Sequence, residues 1–199
     1  MKFDIYRNKT VLVTGHTGFK GSWLTLWLKH LNARVVGLSL DVPTNPSHYN
    51  SSMIYTGIDD HRADIKKLEE IKSVVLEVEP DFIFHLAAQP LVRLSYDQPL
   101  NTIFTNAIGS VNILDALREV KRSTTVVMIT SDKAYDNLEW SWGYRETDRL
   151  GGDDPYSASK GMAEIAIKSY HKSFYNSSNS QIRIGVGRAG NVIGGGDWA

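Results

Sequence analysis

The sequence predicts an α/β fold built on a doubly wound parallel sheet, and three observations carry that reading. Short apolar runs recur along the chain, each is separated from the next by a helix-period segment or a long crossover, and the first run ends in glycines. Strands that are apolar throughout, not alternating, belong to a parallel sheet covered on both faces. Right-handed crossovers then leave the doubly wound arrangement as the leading topology.

Each element follows from its own pattern. Thr10 to Thr14 is a β-branched strand, followed by a helix whose apolar positions are Trp23, Leu24, Trp27, Leu28 and Leu31. Arg34 to Leu40 is a second strand ending at Asp41, and the polar, proline-punctuated stretch Val42 to Asp60 reads as a long surface loop. After a short third strand, Leu68, Ile71, Val75 and Val78 mark a helix that Pro80 stops. Phe82 to Ala87 is a buried strand. Asn101 to Val120 is one helix with Phe104, Ile108, Val111, Leu114 and Leu117 as its apolar positions, and Thr125 to Thr130 is the next strand. A helix carrying Met162, Ala163, Ala166, Ile167 and Tyr170 and a strand over Ile182 to Val186 close the series. Neither repeats nor low-complexity tracts interrupt it.

Composition narrows the function. With 199 residues, 22 basic and 22 acidic side chains and 42% hydrophobic residues, the chain reads as an ordinary globular domain able to bury a core. Balanced charge without a run of five like charges argues against nucleic-acid and anionic-membrane partners and for a small molecule. The absence of cysteine removes disulfides, thiolate metal sites and cysteine nucleophiles, and fits a cytoplasmic location. Apolar bursts such as Trp23 to Leu28 fall far below the roughly 20 residues that span a bilayer. The first ten residues, MKFDIYRNKT, place charges where a signal peptide needs its apolar core.

Gly15, Gly18 and Gly21, in TGHTGFKGS, lie between the first strand and the first helix. Such a turn brings bare backbone N–H groups and a helix N-terminus to one point, which suits a pyrophosphate. The spacing is G-x-x-G-x-x-G, and a glycine triplet alone is equally an ordinary tight loop. Its context between strand and helix, with Asp41 after the second strand, favours a dinucleotide. A carboxylate there accepts hydrogen bonds from a ribose diol and repels a 2′-phosphate, so the expected cofactor is NAD, not NADP. The alternative for Asp41 is a solvated loop aspartate.

Tyr156 and Lys160 form Y-x-x-x-K at the start of a predicted helix, so both project from one face a turn apart. A tyrosine ordinarily ionises near pH 10. A nearby ammonium, helped by a positively charged nicotinamide ring, favours the phenolate and brings Tyr156 into range as a general base. Ser131, ending a strand, supplies a hydroxyl to hold the oxygen that Tyr156 deprotonates. All three fall at strand C-termini or just beyond, where open parallel sheets carry their chemistry. A helix-surface Tyr and Lys is the bland reading of the same spacing.

TGHTGFKG, LAAQ after Phe82 to His85, Ser131 ahead of YSASK, and RAGNV at 188–192 together resemble the extended short-chain dehydrogenase/reductases that act on nucleotide sugars. The resemblance runs from residue 9 onward with every motif in order. The longer strings HTGFKGSWL, AAQPLVRLSY, SDKAYDN, EWSWGYRE and GNVIGGGDWA resemble the branch of 4,6-dehydratases that takes CDP-glucose.

That resemblance implies a Rossmann-like NAD-binding domain over residues 1–199, with a substrate-holding region expected beyond residue 199. It implies a lyase cycle in which Tyr156 takes the sugar O4 proton while C4 gives a hydride to NAD, water leaves across C5 and C6, and the hydride returns to C6. Asp132 would be the acid for the departing hydroxide and Lys133 the partner at C5, where the wider dehydratase pattern has glutamate. A lysine serves there only if burial or positive charge lowers its pKa. Cofactor contacts would come from Gly15, Thr17, Gly18, Phe19, Lys20, Gly21, Asp41, Asp64, Ile65, Leu86, Ala87, Ala88, Thr105, Tyr156 and Lys160. Asn191 would meet the sugar-nucleotide phosphates. Gln89 and Arg93 are further substrate candidates, Arg93 being equally a surface residue. The alternatives are a nucleotide-sugar 4-epimerase on the same scaffold, which the Asp132 and Lys133 pair argues against, and an NAD-binding module without full activity.

The remaining features are less informative. Six histidines lack ligand spacing and no cysteine accompanies them, so no metal site is expected. His85, inside an apolar strand, reads as a hydrogen-bonded core residue. Trp140 and Trp142 would either stack on a base or pack a loop. The helices around Phe104 to Leu117 and Met162 to Tyr170 are broadly apolar, and the resembled family pairs the equivalent helices in a homodimer. A 6-deoxy sugar destined for a bacterial surface polysaccharide is the product the family implies.

Overall fold

The computed structural model describes residues 3–198. Six strands, β1 (Thr10–Thr14), β2 (Arg34–Ser39), β3 (Asp59–Arg62), β4 (Phe82–His85), β5 (Thr124–Ser131) and β6 (Ile182–Ala189), form one sheet in the order β3-β2-β1-β4-β5-β6. Every pairing is parallel. The order reverses at β1 and β4, the switch point of a doubly wound sheet, and the carboxyl ends of the strands there open the crevice where such folds bind ligands.

Side-chain alternation distributes β1 between two cores. Leu12 joins Ile83, Val126 and Met128 under Ile71, Val75, Ile113, Leu114, Leu117 and Ile167, while Val11 and Val13 pack with Val35 and Leu28 on the other face. The helices supplying these contacts include α1 (Phe19–His30), α3 (Leu68–Val78), α6 (Gly109–Ala116) and α7 (Pro155–Tyr170). Each fully buried aliphatic side chain contributes about 1.5–3 kcal/mol relative to exposure.

Several expectations are corrected. The Val42 to Asp60 loop contains a short helix, α2 (His48–Ser51), capped by Ser47, whose hydroxyl accepts from the Asn50 N–H at 3.1 Å. β3 is Asp-Asp-His-Arg, not apolar, because it is a half-covered edge strand whose pairing needs only its backbone. β2 ends at Ser39 and β4 at His85, so Asp41 lies two residues beyond its strand.

The single helix expected over Asn101 to Val120 is instead α5 (Pro99–Ile103), a wide π turn over Phe104–Ile108, α6 and a final 3-10 turn; α4 (Val92–Asp97) precedes them. The wide turn shifts the facing, burying Asn106 and Ala107 and leaving Phe104 and Ile108 exposed. On α1, Ser22, Thr25 and Leu28 are buried while Trp23 and Trp27 face outward. The helix approaches the glycine turn too closely for indoles on its inner face.

Candidate active site

The turn after β1 is shaped by backbone contact. A Cβ on Gly21 would sit 2.0 Å from the Gly15 carbonyl oxygen, so only glycine lets α1 start against the turn. Gly18 is the N-cap of α1 and has no side-chain cap, so the first N–H groups of the helix are not masked by a side chain. Thr17 is buried beside β2. Its N–H lies 3.4 Å from Ser39 Oγ, and its hydroxyl donates to the Asp41 carbonyl at 3.4 Å. Asp41 itself is exposed. This bare, anion-favouring cradle fits a pyrophosphate.

The crossover to β3 adds a polar network that the sequence reading missed. His16 is fully buried with Nε2 2.9 Å from Asp60 Oδ1, and Asp60 Oδ2 accepts from the Tyr49 hydroxyl and from Arg62, each at 2.6 Å. Burial pushes His16 below the usual histidine range, while its partners hold Asp60 below the usual carboxylate range. Next to it, Asp64 Oδ1 accepts from the Lys66 N–H at 2.9 Å, and Ile65 is buried with its carbonyl held by Asn112 at 2.8 Å.

Thr14 organises the floor at β4. Its hydroxyl oxygen accepts from the N–H groups of Leu86 and Ala87, each at 3.2 Å, and lies 2.8 Å from His85 Nδ1. His85 Nε2 lies 3.1 Å from Ser110 Oγ, whose own proton goes to the Asn106 carbonyl at 2.7 Å. Ser110 therefore accepts from Nε2–H, leaving Nδ1 to accept from Thr14. Burial pushes the His85 pKa down to about 3, and Lys160 adds to the shift. His85 is the neutral core residue expected.

Asn106, on the π turn, is a second residue missed. Its side chain accepts from the Gln89 N–H at 2.8 Å and donates to the Gln89 carbonyl at 3.1 Å and to Ser159 Oγ at 2.8 Å. It thus ties the loop after β4 to α7 beside Lys160. A polar residue in an apolar helical stripe was the only available signal. Gln89, a substrate candidate, spends its amide on Leu91 and Thr102 and is buried, so the structure gives it a scaffolding part. Arg93 is exposed, Ala88 is half-buried, and Thr105 lies half-buried on the π turn.

Ser131, Tyr156 and Lys160 come together at the end of β5. The α7 helix starts on Pro155 after Asp154, whose carboxylate accepts from the Ser157 N–H at 3.0 Å. That start turns Tyr156 toward the end of β5, where Ser131 is near enough to pull its pKa down. Lys160 follows one turn later. It is buried, and burial together with Lys20 lowers its pKa to about 8. The expected acidification of Tyr156 by Lys160 is not seen. Burial raises the phenol and the Asp132 and Asp154 carboxylates add to it, with only the Ser131 hydroxyl opposing. The half-buried Lys20 is itself lowered by burial.

Ser131 Oγ donates to Asp132 Oδ1 at 3.1 Å and accepts from the Lys133 N–H at 3.2 Å, closing a 3-10 turn over Asp132–Ala134. Asp132 and Lys133 are both exposed at the rim. Behind them, buried Glu164 accepts from Thr130 at 2.6 Å and from Arg188 at 2.7 Å on each oxygen. This pair links β5, α7 and β6. Beyond the turn, Trp140 packs on Trp142 and on Tyr144, each at 5.2 Å between ring centroids, and Tyr144 stacks on Tyr135 at 4.9 Å. Trp140 is half-buried in this cluster, and Trp142 is 61% exposed. Asn191, after β6, is exposed. Among the described residues no helix is long and apolar enough to cross a membrane.

Comparison with known proteins agrees with this fold. The family model described as GDP-mannose 4,6 dehydratase matches residues 12–183. CDP-glucose 4,6-dehydratase of Salmonella typhimurium is 50% identical over 200 residues, covering 98% of this chain and 55% of that protein. Among solved structures, an epimerase from Methanothermobacter thermautotrophicus superposes with a TM-score of 0.81 at 27% identity, covering 98% of this chain and 55% of the other. A UDP-glucose 4-epimerase from Thermus thermophilus, solved as a complex with NAD, gives 0.70 at 27% identity, over 83% and 51%. The chain spans about half the length of the curated relatives it matches.

Proposed function

This chain belongs to the GDP-mannose 4,6 dehydratase family, among the extended short-chain dehydrogenase/reductases, and from that premise we propose that it is the coenzyme-binding and catalytic part of a CDP-glucose 4,6-dehydratase. The observation that carries the reading is the meeting of Tyr156 and Ser131 at the carboxyl rim, with buried Lys160 a turn along α7 and Asp132 accepting a hydrogen bond from Ser131.

The residues fit a dinucleotide. The uncapped start of α1 and the Gly15–Gly21 turn would hold its pyrophosphate, including the N–H groups of Phe19 and Lys20, with Thr17 at the base of the turn. Asp41 would meet the ribose, Asp64 and Ile65 the adenine, and Leu86, Ala87, Ala88 and Thr105 the nicotinamide side. NAD, when bound, supplies a hydride acceptor for C4 and the hydride donor for C6.

The chain's own residues supply the proton chemistry. Ser131 positions the sugar O4, and Tyr156 takes its proton. Because burial raises the phenol here and Lys160 does not lower it, Tyr156 needs further cationic support to act near neutral pH, which the positive nicotinamide ring of bound NAD would supply. Asp132, at the exposed rim, protonates the departing C6 hydroxyl, and Lys133 serves at C5. Asn191 holds the substrate phosphates and Arg93 lies at the substrate side.

The reading further assigns a homodimer, a cytoplasmic location and a place in the supply of 6-deoxy sugars for a surface polysaccharide. Exposed Phe104, Ile108, Met162 and Ile165 give the dimer its apolar face. A monomeric mass by light scattering removes that part of the reading.

The test is to incubate the polypeptide that contains this chain with NAD and CDP-glucose. The 4-keto-6-deoxy product is followed by its absorbance in alkali. Formation of CDP-galactose instead would establish the epimerase reading, and no product of either kind would reduce the role to coenzyme binding.

A further inference from the structure

The segment leaving β6 does not run free. Gly190 lies against Asp132, and a methyl built on it would stand 3.6 Å from Asp132 Oδ2. A few residues later the same segment is fastened to the opposite side of the switch point. Trp23 Nε1, on α1, donates to the Gly195 carbonyl at 2.9 Å. The Trp23 ring stacks on His48 at 4.2 Å between centroids with 21° between planes. His48 is held in turn, with Nδ1 2.8 Å from Ser22 Oγ and Nε2 3.2 Å from Ser52 Oγ. Gly196, at φ +88°, passes so close that a Cβ there would lie 2.7 Å from His48 Cβ. Between the two ends Ile193 is 96% exposed, and Gly194 runs over the Phe19 ring, where a methyl would stand 3.3 Å from Cζ.

Sheet order makes this fastening consequential. α1 follows β1, and Asp132 follows β5, with β4 between them. A segment that passes beside Asp132 and is fastened at Trp23 therefore bridges the stretch of carboxyl rim between the glycine turn and the Ser131 and Tyr156 pair.

From these contacts we infer that Trp23 is a positioning residue, seating segment 190–196 on His48 as a strap that retains the dinucleotide and holds Asn191 beside the catalytic rim. The inference rests on the coenzyme reading above. Loss of the Trp23 hydrogen bond frees one end of the strap, and the effect falls on release more than on capture, because closure follows encounter.

Binding of NADH to this chain is measured by its fluorescence, and release is timed after mixing the complex with excess NAD. Trp23→Phe keeps a ring to stack on His48 and removes only the N–H donor. Gly196→Ala displaces the strap at its other contact. Each variant is expected to release NADH roughly fivefold faster, the factor of one net hydrogen bond, with association little changed. Trp27→Phe, on the same helix and equally exposed, serves as the control and keeps the unsubstituted rate. Unchanged release in both strap variants overturns the inference, as does equal acceleration in Trp27→Phe. Failure of the unsubstituted chain to bind NADH overturns the coenzyme reading as well, and is seen before any variant is made.

Discussion

Lys160 holds its ammonium nitrogen 5.8 Å from the centroid of the Tyr156 ring, and its own charge is weakened by burial and by Lys20. Lys20→Met removes the repulsion and moves the Lys160 pKa up from about 8 toward its ordinary 10.5. NMR of 13C-methylated lysines follows that titration directly. The sign for stability is fixed by the same shift. Between the two values the unfolded chain binds the proton that the folded chain has released, so stability rises with pH across that window and rises less in Lys20→Met. An unmoved Lys160 titration removes Lys20 as its neighbour in charge.

Tyr156→Phe deletes the hydroxyl and leaves the ring in its packing. Turnover of CDP-glucose by the polypeptide containing this chain is expected to fall by about 10²–10⁴, with NAD affinity nearly unchanged. Ser131→Ala is expected to lower turnover less, since it removes a positioning hydroxyl and the group that opposes the upward shift of the phenol but leaves the base itself in place. Retained turnover in Tyr156→Phe refutes the assignment of the base.

Gly21 and Gly18 make opposite predictions on one turn. A methyl at Gly21 meets the Gly15 carbonyl at 2.0 Å, whereas one at Gly18 stands 3.4 Å from the same oxygen. Gly21→Ala should therefore abolish measurable NADH binding and lower the melting temperature, while Gly18→Ala folds normally. Fluorescence titration and thermal unfolding of both variants check the contrast, and equal behaviour contradicts it.

Arg188 and Glu164 form the most enclosed ion pair described, with side chains 17% and 6% exposed. Arg188→Met leaves the Glu164 carboxylate buried without its cation and costs about 3 kcal/mol in urea unfolding. The double variant Glu164→Met, Arg188→Met should recover most of that loss. Continued loss in the double variant shows that the pair does more than satisfy itself.

How much was legible in the sequence depended on what each residue's signal was. Val11 to Val13 and Ile83 announced their strands because both faces of the central sheet are covered. Ser131, Tyr156 and Lys160 were found because their spacing along the chain survives as proximity in space. β3 was nearly silent, since its pairing uses backbone and its Asp-Asp-His-Arg side chains carry no apolar period. Trp23 and Trp27 misled, because hydrophobicity alone does not say which face of α1 meets the sheet when the glycine turn demands small residues there. Asn106 and Glu164 escaped because a buried polar residue is recognised only by the partners that satisfy it. The raised Tyr156 phenol also lay beyond sequence, for it reflects burial that a motif does not encode.

The charged face of β3 has a bearing on assembly. A border strand of Asp59, Asp60, His61 and Arg62 offers a foreign chain a poor template for backbone pairing. The opposite border, β6, is less charged, carrying exposed Arg183 beside Val186 at 45% exposure. Addition of a strand is thereby discouraged at the β3 margin, where both rows of side chains carry charge.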